Sequence, residues 1–377
     1  MYINPRELHT IQWEPTSLCN ANCIGCPRTD HDTMLTHPFI VKSQRHASDT
    51  EIQGFVDSVA DQRLEKLSRI IFNGEIGDAM MHPQIHKIII DILKARPNIS
   101  IDIHTNGGGP WWDKIESICE YASRHNSKVH FTFSIDGLED TNHLYRRNVQ
   151  WKNIVKNTKV VSNYNSIGAV WRWCTFDHNK HQIEEAREMA KEWNLFFETN
   201  KNVWGQKQVS KYIDKKSDTK LYKEKLKNFS LTFEDIKPDD VIKKGSSNCS
   251  DVCIWQASKS IQIASDMSVW PCCWTAHFQY YYMQRNQNIW SKQRKTSPEL
   301  RDDMVLSDLK EWEELLNSEE ESYYDKKDIS ISKNFLLHDV LAGDTFTSIG
   351  KLLKTDNSFN LSICVNECRQ PARAHVQ

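Results

Sequence analysis

The sequence predicts an α/β fold in its first half, built from six βα units around a parallel sheet, and a smaller α+β domain after it. Three observations carry this expectation. Short apolar strand-like runs alternate with apolar stripes at helical spacing, the signature of βα units. At 377 residues the chain is too long for one ordinary core, so two domains are expected. The glycines, carboxylates and hydroxyls that interrupt the pattern fall repeatedly where strands end, and that is where βα barrels hold their chemistry.

Taken in order, Leu8–Trp13 reads as the first strand, and Ile52, Phe55, Val56 and Val59 make a helical stripe. Arg69–Phe72 is the second strand, followed by a helix carrying Ile85, Ile88, Ile89, Ile92 and Leu93. Ile99–Ile103 is the third, with Trp112, Ile115, Ile118 and Ala122 striping the helix after it. Val129–Ile135 is the fourth, and Trp151, Ile154, Val155 and Thr158 mark its helix. Ile167–Phe176 is the fifth, its helix bearing Ile183, Ala186, Ala190 and Trp193, and Leu195–Phe197 opens a sixth. Six units in so short a span suit a barrel or partial barrel better than a flat sheet.

The strand ends carry the unusual residues. Asn73-Gly-Glu-Ile-Gly-Asp78 follows strand two, Thr105-Asn-Gly-Gly-Gly109 follows strand three, and Ser134-Ile-Asp-Gly137 closes strand four. Each alone reads as an ordinary turn. Gly107-Gly-Gly-Pro-Trp-Trp112 fails the G-x-G-x-x-G dinucleotide pattern. Their recurrence at successive strand ends favours a shared site.

Composition sets the outer limits. Hydrophobic residues are 39% and charged residues 26%, and no apolar run reaches the ~18 residues needed to span a bilayer. No basic-then-apolar signal segment opens the chain, so a cytoplasmic protein away from membranes is expected. Lys and Arg total 48 against 50 Asp and Glu, which gives no nucleic-acid footprint. The eleven cysteines then point to metal or redox chemistry before disulfides. Cys119 and Cys174 sit in helical and strand-like patterns and read as small buried hydrophobes.

After strand one comes Cys19, Cys23 and Cys26, spaced C-x-x-x-C-x-x-C. Three thiolates this close can wrap one metal centre without completing a four-cysteine site. Iron–sulfur clusters normally take four cysteines, so this loop points to a cluster with one open iron, the mark of a catalytic site.

This spacing and its context resemble the radical S-adenosylmethionine (SAM) superfamily over most of the first 200 residues. The resemblance implies a partial (β/α)6 TIM-type barrel and a [4Fe-4S] cluster on Cys19, Cys23 and Cys26. It also implies reductive cleavage of SAM to a 5′-deoxyadenosyl radical that abstracts hydrogen from a substrate, and a ferredoxin- or flavodoxin-like electron donor. Gly74 and Glu75 look like the Gly-Glu motif that holds the SAM amino group. Ser134 and Asp136 are similar to the S-x-D-G motif near the SAM ribose and carboxylate, and Arg146 stands where relatives place an arginine on that carboxylate. Ile167–Trp173 matches no clear adenine-contact motif, and no catalytic residue is assigned.

The expected division is a barrel at 1–202, a charged connector at 203–247 and a C-terminal domain at 248–377. In the last, Cys253 and Cys272 bracket Ser260–Pro271, which reads as a hairpin turning at Asp266-Met267, and Cys364 and Cys368 come later. Together these resemble the twitch or SPASM extension of the same superfamily. That likeness implies one auxiliary [4Fe-4S] cluster on Cys253, Cys272, Cys364 and Cys368, with Cys249 and Cys273 spare, and Met267 stands where that hairpin typically has glycine. The segment between Cys273 and Cys364 reads as an aromatic and acidic insertion. Expected reactions are a net oxidation or cross-link of a peptide, or of a small sugar or cyclitol. The few residues before Cys19 weaken the peptide option by leaving little room for a recognition domain. Two rivals stand beside this reading: a zinc-stapled non-enzymatic binding protein, and an iron–sulfur electron carrier without SAM chemistry.

Overall fold

The computed structural model describes residues 3–24, 26, 28–29, 36, 40–41, 44–74, 76–200, 258–271, 330–332, 336–343 and 346. In chain order the described elements are β1 (Thr10–Trp13), α1 (Asp49–Ala60), β2 (Arg69–Phe72), α2 (Ile85–Ala95), β3 (Ser100–Thr105) and α3 (Trp112–His125). Then come β4 (Lys128–Ser134), α4 (Trp151–Ser162), β5 (Gly168–Cys174), α5 (Ile183–Glu192), β6 (Phe196–Asn200), β7 (Ser260–Ile263), β8 (Val269–Trp270) and α6 (Leu337–Ala342). The expected alternation is present, with boundaries moved by one or two residues.

The chain divides into two compact units. One comprises residues 12–48 and 68–229, the other residues 1–11, 49–67 and 230–377. In the first, strands run in the order β6-β5-β4-β3-β2, with β1 next to β2, and every pair from β2 to β6 is parallel. Parallel neighbours need crossover helices, and α2, α3, α4 and α5 supply them. This is the partial (β/α)6 TIM-type arrangement.

The two faces of that sheet differ because successive side chains alternate. Phe72, Ile101, Ile103, Phe131, Phe133, Trp171 and Trp173 are wholly buried on the face that meets the helices. There Trp171 stacks 5.4 Å from Trp193 and lies 6.4 Å from Trp151 on α4. The helices answer with matching stripes, such as Ile85, Ile88, Ile89, Ile92 and Leu93 on α2 and Ile115, Ile118, Cys119 and Ala122 on α3. Cys119 is thus the small buried hydrophobe its pattern implies. The opposite face is polar. It carries Asp102 and His104 of β3, His130 and Ser134 of β4, Arg172 of β5 and Glu198 of β6, with ion pairs Arg69–Asp102 at 2.6 Å and Arg172–Glu198 at 3.1 Å.

In the other unit the antiparallel hairpin β7–β8 pairs Gln262 with Trp270 and Ile263 with Val269. Met267 lies in its turn with φ +66°, a left-handed conformation that normally favours glycine, and its side chain is 1% exposed. In the same unit Leu337 N, at the start of α6, donates to Ser58 Oγ on α1 at 3.0 Å. Among the described residues, no helix is long and apolar enough to cross a membrane.

Candidate functional site

The site is built on the loops that leave the carboxyl ends of β1 to β5. The first follows Trp13. Glu14, 2% exposed, turns its carboxylate inward and accepts from Ile76 N at 2.8 Å and Gly77 N at 2.5 Å, which ties the β1 loop to the β2 loop. The β2 loop folds tightly on itself and against the β1 loop, so that only glycine fits at two positions. A Cβ on Gly74 would sit 1.9 Å from Gly77 O, and one on Gly77 would sit 1.9 Å from Thr16 O. Asp78 N donates to Leu18 O at 2.8 Å, one residue before the first cysteine.

The cysteine loop is short and internally bonded. Ala21 N donates to Cys19 Sγ at 3.4 Å, Cys26 N to Cys23 O at 3.2 Å, and Thr29 N to Cys26 O at 2.9 Å. Arg28, 2% exposed, donates from Nη1 to Ser17 O at 3.3 Å and also to Ile76 O. One buried cation therefore braces both loops.

The β3 loop approaches from the side. Asp78 accepts from Met80 N at 3.0 Å, Thr105 Oγ1 at 3.0 Å and Asn106 N at 2.8 Å. Asn106 in turn directs its amide to Asn20 Oδ1 at 2.8 Å and to Cys19 Sγ at 3.8 Å. The Gly107–Gly109 run is held from α4, where Asn157 Nδ2 donates to the Gly107 and Gly109 carbonyls and Asn153 Nδ2 to that of Gly108, each at 2.8 Å.

The β4 loop supplies the second cation. Asp136 is fully buried, and its carboxylate accepts from Arg146 Nε at 2.6 Å and from Cys174 N at 2.6 Å. Arg146 reaches Cys23 Sγ through Nη1 at 3.9 Å. Its neighbours close over the cysteine loop, with Asn22 N donating to Arg147 O at 3.1 Å and Ile24 N to Tyr145 O at 3.3 Å. Ser134 ends β4 beside Arg172 in register, and its hydroxyl makes no hydrogen bond to a described residue.

The structure therefore gathers Gly74, Asp136 and Arg146 with Cys19, Cys23 and Cys26 around one loop. Glu75, Cys253, Cys272, Cys364 and Cys368 lie outside the described residues, as do Cys249, Cys273, the 203–247 connector and the aromatic insertion. Four contributors receive no role from the sequence: Glu14, Arg28 and, within the strand-end runs, Asp78 and Asn106. Their signal in the sequence is only adjacency to a strand end or to a cysteine. Cys174, by contrast, is half-buried on the polar face rather than fully enclosed.

The donor set fits an iron–sulfur cluster. Burial pushes all three thiols up, Cys26 to about 12, while Arg28 pulls each of them down. Thiols this buried need positive charge to ionise, and a metal centre supplies it. The N–H donors aimed at Cys19 and Cys23 also suit thiolate ligands, whose hydrogen bonds tune a cluster. Among the described residues, no three His, Cys, Asp or Glu side chains converge closely enough to hold one metal ion.

A three-cysteine loop at the carboxyl edge of a partial (β/α)6 sheet, with Cys23 buried and Cys19 and Cys26 partly exposed, fits an iron–sulfur site. Residues 13–190, just under half of the chain, match the family model of the Radical SAM superfamily. The family matched by that segment implies an enzyme that uses a four-iron cluster and SAM. No curated protein matches the sequence. Similar solved structures include BtrN in complex with AdoMet and 2-DOIA, at 12% identity and a TM-score of 0.39, with 92% of this chain and 87% of that chain covered. Selenomethionine-substituted BtrN in an open conformation is similar at 10% identity and a TM-score of 0.40, with 98% and 94% covered.

Proposed function

We propose that this chain is a radical SAM oxidoreductase that abstracts hydrogen from a peptide or a small sugar or cyclitol, with a net oxidation or cross-link as the outcome. When bound, the cluster and SAM supply one-electron cleavage of a carbon–sulfur bond and with it a hydrogen-abstracting radical. The chain's own residues bind and orient. Cys19, Cys23 and Cys26 would hold the cluster, Gly74 and Glu75 the SAM amino group, and Ser134 the ribose side. Arg146 would meet the SAM carboxylate. Asp136 would act through Arg146, fixing its guanidinium so that Nη2 could meet a second carboxylate.

The observation that supports this reading best is the placement of Arg146. It is a cation only 18% exposed, oriented by Asp136 and within reach of Cys23. A structural zinc site has no need of a buried arginine directed at its ligand. An electron carrier has no need of a carboxylate-binding group beside the open position. Cys253, Cys272, Cys364 and Cys368 would bind one auxiliary four-iron cluster that could take the electron left on the substrate after hydrogen abstraction, and a ferredoxin- or flavodoxin-like protein would supply the separate electron that SAM cleavage consumes.

The test is anaerobic reconstitution with iron and sulfide, then dithionite and SAM, with assay of iron and 5′-deoxyadenosine. About eight irons per chain, from two four-iron clusters, with 5′-deoxyadenosine formed, is the expected result. A colourless zinc protein forming none would return the chain to the binding-protein reading, and a coloured protein that leaves SAM intact would return it to the electron-carrier reading.

A further inference from the structure

The polar face of the sheet holds charges to which the proposed function assigns no role. Ser134, Arg172 and Glu198 form one register row across β4, β5 and β6. The row lies two residues, roughly 7 Å, toward the sheet interior from the Asp136–Cys174 level that supports Arg146. Arg172 Nε donates to Glu198 Oε2 at 3.1 Å, and the two side chains remain 40% and 38% exposed. That is their one side-chain hydrogen bond among the described residues, none of which engages the Arg172 Nη groups or Glu198 Oε1. His104 of β3, on the same face and electrostatically coupled to both, makes no side-chain hydrogen bond to a described residue.

We infer that Arg172 and Glu198, with His104, form the substrate-recognition row of this site, and that they take a neutral polyhydroxylated small molecule through adjacent hydroxyl groups. This rests on the proposed function above, since Ser134, the proposed ribose-side contact, is Arg172's register partner. The chemistry of the row selects the class. A hydroxyl donates and accepts at once, so two neighbouring hydroxyls can accept from the guanidinium and donate to the carboxylate. The charges of Arg172 and Glu198 cancel. Burial and then the Arg172 charge hold the His104 imidazole down at about 4, which leaves it neutral near pH 7 as one donor and one acceptor. An anionic substrate would gain from Arg172 but meet Glu198 beside it. A peptide, whose backbone presents donors and acceptors on separate groups, matches the paired charges less well than a diol.

The test is calorimetric titration of the reconstituted full-length protein with SAM under anaerobic conditions. The probes are myo-inositol, D-glucose, cyclohexanol and penta-alanine. The expected result is saturable binding of at least one polyol, with cyclohexanol and penta-alanine at least tenfold weaker. Arg172→Met and Glu198→Gln should each weaken polyol binding about tenfold or more, and Arg172→Lys should recover part of the loss. The wild-type ligand series keeps the test decisive where a variant fails to fold. Binding of penta-alanine but neither polyol, binding of none of the probes, or polyol binding unchanged in both folded variants would each overturn the inference. Wild-type protein that forms 5′-deoxyadenosine yet binds no polyol sinks this inference alone. Protein that binds a polyol but never cleaves SAM sinks the enzymatic reading instead.

Discussion

Arg146 and Asp136 form a buried ion pair at 2.6 Å in which the aspartate is wholly enclosed and the arginine also reaches Cys23. Removing one partner of such a pair leaves an uncompensated buried charge, a loss of about 3–5 kcal/mol. Asp136→Ala should therefore lower the urea unfolding midpoint markedly and release Arg146 from the cysteine loop. An unfolding free energy within about 0.5 kcal/mol of wild type would mean that the pair is not a fixed part of the fold.

Gly77 tests the close approach of two loops. An alanine methyl there would meet the Thr16 carbonyl at 1.9 Å, and that carbonyl is backbone that cannot swing aside. Gly77→Ala should displace the loop that leads into Cys19 and reduce the iron retained after reconstitution. Iron content and visible absorbance equal to wild type would show that the loop tolerates the shift.

The triple variant Cys19→Ala, Cys23→Ala, Cys26→Ala separates the two cysteine sets. SAM cleavage should be abolished while about four irons per chain remain, on the proposed auxiliary ligands. Normal 5′-deoxyadenosine formation by this variant would refute the assignment of the cysteine loop.

His104 gives a signed pH dependence. Its imidazole lies below its ordinary value of 6.5, at about 4, first through burial and then through Arg172. Between those values the unfolded chain takes up a proton that the folded one refuses, so stability falls as pH drops through this window. The contribution between about pH 7 and about pH 5 is at most about 2 kcal/mol. His104→Gln should flatten that part of the urea-derived stability profile, and parallel wild-type and variant profiles would contradict it.

Met267 sets two effects against each other. The left-handed backbone, φ +66°, costs about 1–2 kcal/mol for a residue with a side chain. Burying a methionine that is 1% exposed contributes about 1.5–3 kcal/mol. Glycine would relieve the first and forfeit the second, and it adds backbone freedom to the unfolded chain. Met267→Gly should lower thermal stability by about 1 kcal/mol, and a rise in Tm would show that strain dominates.

The sequence by itself determined the six βα units, because strand and helix periodicities of two and 3.6 residues are local properties of the chain. It also marked the cysteine loop, the strand-end glycines and the Ser260–Pro271 hairpin, whose spacing is equally local. What only the tertiary structure decided is which polar groups meet. Glu14 reaches Ile76 across 62 positions, and Arg146 reaches Cys23 across 123. The same holds for the direction of the Asp136 carboxylate, which turns to Arg146 and the Cys174 amide, and for the Arg172–Glu198 pair on the polar face. The physical reason is that sequence spacing sets which face of an element a residue occupies. Strand register and the packing of loops across the sheet edge then set what stands opposite it, and those arise only when the whole sheet is assembled.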